Sequence, residues 1–128
     1  MTDIGEKIDP IVIGDDFTIA RTYTDVPTGV TITKAWLTVK ASDRQLDAAA
    51  LMQLDITTSL TANGQITDAD TTDGTISMQF KMPRAKTGLA LPNIPYGYDV
   101  QVKASDGLIH TMELGSVSFV KGRTDATT

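Results

Sequence analysis

A single histidine, His110, and two groups of carboxylates are the residues of this 128-residue chain that could do chemistry. His110 has no second histidine or cysteine to join it, so a three-ligand zinc site or a nucleophile-histidine triad cannot readily be assembled. A role as general base would need an orienting partner that the sequence does not supply, and His110 reads as a structural or rim residue. Asp68, Asp70 and Asp73 resemble the opening of a calcium loop. The glycine comes one position late, however, and the twelfth position from Asp68 is Gln79 rather than glutamate. The spacing therefore predicts a solvated turn. Asp15 and Asp16 read as a turn before a strand, and nothing sets them apart as a glycosidase pair. Phosphate-binding glycine loops, nucleophile elbows and metalloprotease motifs are absent from the sequence. The expectation is a protein that is not an enzyme and takes no cofactor and no metal.

The elements that must position these residues follow from alternation. Tyr96, Tyr98, Val100 and Val102 precede a turn and Leu108, His110, Met112 and Leu114 follow it, which is the period of half-buried strands. Opposed residues of an antiparallel pair share a face, so the loop must hold an odd number of residues. Ser105, Asp106 and Gly107 meet this, with Gly107 left-handed in a type I turn plus bulge. The expected pairs are Ala104 with Leu108, Val102 with His110, Val100 with Met112 and Tyr98 with Leu114. Beyond Leu114 the apolar parity changes to Val117 and Phe119, which demands one extra residue, expected as a β-bulge near Gly115 and Ser116.

Elsewhere, residues 11–13 form a short strand candidate. In residues 17–24, Phe17, Ile19 and Tyr23 alternate with Arg21 interrupting. Residues 33–41 put Ala35, Leu37, Val39 and Ala41 on the core face, which turns Trp36 outward between Lys34 and Lys40. Ser42 followed by Gln45 fits a capping box, so residues 42–51 predict one short helix of about two turns. Strands at 52–60, 65–67 and 76–82 follow, the last with Ile76, Met78, Phe80 and Met82 inward. Residues 83–95 hold three prolines with Leu89, Leu91 and Ile94, and predict a helical turn crossing the end of the sheet pair. Seven to nine short strands with regular turns, roughly, make an antiparallel β-sandwich.

Composition bounds the rest. With 41% hydrophobic residues and no cysteine, one domain can form a single core without disulfides: an arm over residues 1–10, a sandwich over 11–121 and a polar tail over 122–128. A net charge of -5 without a Lys/Arg cluster argues against nucleic-acid and anionic-membrane partners. Residues 1–9 lack a basic start and an apolar stretch of signal-peptide length, so a soluble protein is expected.

Taken together, Gly14-Asp15-Asp16 before an alternating strand, Lys34-Ala35-Trp36-Leu37-Thr38-Val39-Lys40, Ala48-Ala49-Ala50-Leu51 and Asp73-Gly74-Thr75-Ile76 resemble a known pattern. Tyr96-Gly97-Tyr98-Asp99-Val100-Gln101-Val102, then Asp106-Gly107, His110-Thr111 and Leu114-Gly115, complete it. Over residues 13–120 the chain is similar to the small immunoglobulin-like domains encoded beside tail and baseplate genes of tailed bacteriophages, and to the N-terminal domain of baseplate upper proteins. The connection over residues 83–95 is more proline-rich than that pattern, and the expectation is a sandwich without a fibre or receptor-binding domain fused behind it. The resemblance implies an immunoglobulin-like sandwich and a non-enzymatic virion structural protein, a tail, baseplate or neck component assembled in the cytoplasm of a bacterial host. It implies other virion proteins as partners and a homo-oligomer such as a trimer. The two polar ends would order on assembly, and Trp36 and Tyr23 are the candidate interface anchors. The alternative is an immunoglobulin-like binding module that recognises a host surface glycan or protein, with Trp36 and Tyr96 or Tyr98 stacking on sugars.

Overall fold

The computed structural model describes residues 3–4, 8–24, 26–41 and 50–121. The architecture is all-β. β1 (Asp3–Ile4), β2 (Ile8–Val12), β3 (Phe17–Tyr23), β4 (Ile32–Lys40), β5 (Met52–Ile56), β6 (Gly64–Asp68) and β7 (Ile76–Met82) lead to a single helical turn, α1 (Arg84–Thr87). β8 (Tyr96–Ala104) and β9 (Ile109–Val120) complete the chain order. One sheet runs β1-β9-β8-β4-β5, with β2 also on β9, and the other runs β3-β7-β6. Their facing sides bury Leu37, Val39, Ile56, Ile76, Met78, Phe80, Val102 and Phe119 in one apolar core, which is what period-two alternation demands of two stacked sheets.

β4 and β7 follow their sequence patterns closely. Ala35, Leu37 and Val39 of β4 are buried, as are Ile76, Met78, Phe80 and Met82 of β7. The 105–107 loop closes as expected: Ala104 N–H donates to the Leu108 carbonyl at 3.0 Å, and Gly107 has φ +87. The helical turn also falls in the 83–95 connection. There the Arg84 N–H donates to Asp16 Oδ1 at 2.8 Å, and the Thr87 hydroxyl donates to the Asp15 carbonyl at 2.7 Å. The Gly14-Asp15-Asp16 turn is thereby stitched to α1.

Several expectations need correction. The 52–60 strand stops at Ile56, because the chain turns there toward the β6 hairpin. Residues 42–49 of the expected helix lie outside the described residues, and Ala50 and Leu51 form a bend in which Leu51 N–H donates to the Val39 carbonyl at 2.9 Å. The 1–10 region is not an arm throughout. Asp3 and Ile4 pair in parallel with Glu113 and Leu114, and β2 pairs in parallel with Val117 to Val120. The register shifts between Ile8 and Ile11, around Pro10, which is where an edge strand tolerates proline. These segments satisfy the edge of β9 that β8 leaves open.

The bulge sits elsewhere than expected. Gln101 opposes Thr111 and Val100 opposes Glu113, so the extra residue is Met112, not one near Gly115 and Ser116. Tyr98 then opposes Gly115, and Leu114 faces outward, 47% exposed. Leu108, counted with the inward run, is also exposed at the hairpin tip.

Candidate functional site

A bulge turns two successive side chains toward one face, and here both Met112 and Glu113 are buried. Glu113 is 4% exposed. It meets β3 of the other sheet, where odd parity turns Phe17, Ile19, Arg21 and Tyr23 inward. Arg21, an interruption in the sequence pattern, is the ion partner: its Nε lies 2.9 Å from Glu113 Oε1. The Tyr23 hydroxyl donates to the same oxygen at 2.7 Å, and the Tyr98 hydroxyl donates to Oε2. One carboxylate thus joins β3, β8 and β9 across the interior.

Room for this comes from Gly115. A Cβ there would fall 2.6 Å from Tyr98 Cζ and Oη, so glycine lets the ring lie across β9 and reach Glu113. Gly115→Ala is expected to displace the Tyr98 ring and cost about 1–3 kcal/mol, the range for overpacking a filled core. Urea unfolding measures it. The companion variant Gly115→Ala/Tyr98→Phe should lose less than the sum of the two single changes, since the ring has then already lost its hydroxyl contact.

Burial works against a charged Glu113, but the hydrogen bonds from Tyr98, Tyr23 and Arg21 together with the Arg21 charge outweigh it and hold the carboxyl below its ordinary value. Burial and the hydrogen bond to Glu113 push Tyr98 up from 10.0 to about 12, and the same causes raise Tyr23. A depressed carboxyl contributes stability above its ordinary value of 4.5 that is lost as pH falls through the native value. A raised tyrosine contributes stability below pH 10 that is lost as pH rises from there through about 12. The difference in melting temperature between the wild type and Glu113→Gln should therefore be largest on a plateau between these limits and shrink on both sides. A difference independent of pH would show that Glu113 is not ionised in the native protein.

With both oxygens occupied and its proton affinity lowered, Glu113 is a poor proton acceptor for a substrate. The arrangement is suited to tying two sheets together. Among the described residues, every buried side-chain nitrogen or oxygen has a hydrogen-bond partner. No group of three or more His, Asp or Glu residues among them could hold a metal. Asp68, Asp70 and Asp73 instead accept from their own loop: Asp70 N–H, Thr72 N–H and Thr75 N–H donate to them in turn at 3.1, 2.9 and 3.1 Å. His110 opposes Val102 and is half-buried.

The two expected interface anchors part company. Tyr23 is 3% exposed with its hydroxyl committed to Glu113, so it has no surface to offer a partner. Trp36 stays on the outer face of the first sheet, half-buried between Asp55 and Gln101 of the flanking strands. Lys34 Nζ stands 5.3 Å from the Trp36 ring centroid and 3.5 Å from Asp55 Oδ2. On the same face Thr38, Lys40, Gly97, Asp99 and Leu114 line an open groove of about 410 Å³. Tyr96 and Tyr98 are buried, and Tyr98, which with Gly115 borders this groove, offers no exposed ring as a stacking platform.

Sequence reasoning missed the Arg21–Glu113 pair because a bulge at Met112 is needed to turn Glu113 inward. The available signal was an arginine at an inward position of β3 together with a glycine opposite a tyrosine. No family model matches this chain, and no curated protein matches it.

Proposed function

We propose that this chain is a non-enzymatic structural protein of a tailed-bacteriophage virion, a tail, baseplate or neck component that serves as an assembly or attachment adaptor and folds as an immunoglobulin-like sandwich. The observation that carries the adaptor reading is the outer face of the first sheet. It sets Trp36, of the residue type most enriched at binding hot spots, beside an open groove of mixed polar and apolar lining, while the interior carboxylate is saturated by structural donors.

Two features support the immunoglobulin-like form. β3-β7-β6 faces β9-β8-β4-β5, with the N-terminal strands parallel on β9. Tyr96, opening β8, accepts at its hydroxyl a hydrogen bond of 2.9 Å from the Leu91 N–H, five residues upstream, in the manner of the tyrosine corner of such sandwiches. The particle assignment rests on the sequence resemblance over residues 13–120.

The test is immunogold labelling of intact phage purified from the source lysate, with mass spectrometry of the same particles. Gold at the tail tip, baseplate or neck is the expected result. Absence of the chain from the particles would overturn the assignment. A second reading, recognition of a host surface glycan or protein, draws on the same outward-facing, half-buried tryptophan. Trp36→Ala separates the two: loss of incorporation favours the adaptor, and loss of glycan binding with normal incorporation favours recognition.

A further inference from the structure

The two ends of the sandwich carry surfaces of opposite charge, each with exposed apolar side chains at its centre. β8 runs from Tyr96 at one end to Ala104 at the other, so the ends lie about 30 Å apart at the rise of a strand. At the connection end, Leu89, Leu91 and Ile94 are exposed. This surface is tied down: Asn93 N–H donates to the Phe119 carbonyl at 2.8 Å, and Gly14 N–H to Thr87 Oγ1 at 3.2 Å. Its exposed charges among the described residues are Arg84, Lys86 and Lys121 against Asp15 and Asp16.

At the hairpin end, Leu108 and Ile109 are exposed. Three loops are stitched together there, since Ser105 N–H donates to the Thr31 carbonyl at 2.8 Å, Thr31 bridges to Asp70, and Val26 N–H donates to the Gly74 carbonyl at 3.0 Å. Asp70, Asp73 and Asp106 outnumber Lys103 on this surface. Hydrogen bonds from Thr72 hold the Asp70 carboxyl below its ordinary value, and those from Thr75 do the same for Asp73, so both remain charged well below neutral pH.

We infer that the connection end of one copy docks on the hairpin end of a second copy, head to tail, with Leu89, Leu91 and Ile94 against Leu108 and Ile109 and the basic rim against the acidic one. Apolar side chains at both ends favour a partner that covers both, and a second copy does so with one contact type. Like ends would bring Asp70, Asp73 and Asp106 against their own copies, which charge repulsion opposes. A heterologous contact of this kind leaves one free end on each copy, so it propagates into a filament or closes into a ring. The inference stands on these two surfaces and does not depend on the chain being carried by a phage particle.

Leu91→Asp blocks the connection end and Leu108→Asp blocks the hairpin end. Both positions are exposed, and circular-dichroism melts should confirm that each variant folds. In sedimentation at high protein concentration the wild type is expected to exceed twice the 13.7 kDa mass of the chain, and to dissociate as salt rises. Each variant alone should sediment as a monomer. Mixed in equal amounts, the two should give a species of twice the chain mass and nothing larger, because only one pair of ends remains open. A wild type that stays monomeric, a single variant that still dimerises, or a mixture that remains monomeric would each overturn the head-to-tail contact.

Discussion

Glu113→Ala should lower the unfolding free energy by about 3 kcal/mol, the lower part of the range for removing one partner of a buried ion pair. Three donors lose their acceptor at once. Tyr23 and Tyr98 are buried, so their hydroxyls are left in the core without the carboxylate, and each such loss costs about 1–3 kcal/mol. Arg21 is different. Its side chain is 31% exposed and its Nη1 already donates to the Ala20 carbonyl at 3.3 Å. The guanidinium can therefore turn to water, which keeps the total below the sum of three separate penalties. Against a typical domain stability of about 5–15 kcal/mol, the change should lower the melting temperature by roughly 10 °C.

Glu113→Gln keeps the shape and one acceptor oxygen but removes the charge, and should cost about half as much. Urea unfolding of both variants provides the comparison. If Glu113→Ala unfolds within about 0.5 kcal/mol of the wild type, the size of an ordinary surface substitution, the carboxylate does not hold the sheets together. The position of the carboxylate explains why so much rests on it. The chain contains no cysteine, and this cluster joins β3 to β8 and β9 through side chains alone, where a covalent link could otherwise serve.

Much of the fold was legible because alternation is a direct consequence of burying one face of a strand. β3, β4, β7 and the β8–β9 hairpin lie within a residue or two of where their apolar parity puts them. Parity also required an extra residue in β9, since Met112 and Phe119 cannot otherwise share a face. Its position was the harder matter. Leu114 is apolar and its parity predicts an inward position, while glycine at 115 invites a bulge; in the structure that glycine accommodates the Tyr98 ring instead. A single exposed leucine carries little cost, so hydrophobicity alone could not place the irregularity.

The same limit hid the interior cluster. An arginine inside a strand pattern breaks the alternation, and only the three-dimensional register shows that a glutamate 92 positions away answers it. β1 and the Ile8–Pro10 part of β2 escaped for another reason, while Ile11 and Val12 fall in the 11–13 strand candidate. A two-residue strand and a strand start that runs into Pro10, paired in parallel along an edge, carry too little alternation to be recognised. Trp36 was placed correctly on the outer face because its neighbours Ala35 and Leu37 both demand the core.

Gly64→Ala should be at least as damaging as the loss of Glu113, costing about 3 kcal/mol or more through backbone rather than side-chain contacts. Gly64 opens β6 opposite Phe80 with φ +126, a region that side-chain-bearing residues rarely enter. A Cβ at this position would fall 2.0 Å from the Gln79 carbonyl oxygen and 2.9 Å from its carbon. Those atoms belong to β7, a strand held on its other side by β3 through seven consecutive pairs, so they cannot yield. Relief has to come from β6 moving away. That movement strains the hydrogen bonds from Ile66 N–H to the Thr57 carbonyl and from Lys81 N–H to the Asn63 carbonyl, both 2.8 Å, and opens the site where Ile66 is buried. Gly29→Ala is the control. Gly29 has φ +83 with nothing within 4 Å of the added carbon, so it carries the conformational penalty alone, about 1–2 kcal/mol. Amide exchange should show β6 opening preferentially in Gly64→Ala and no regional change in Gly29→Ala. Equal losses for the two variants would mean that the collision with Gln79 is relieved cheaply, and that the second sheet is held at β6 by conformation and not by close backbone approach.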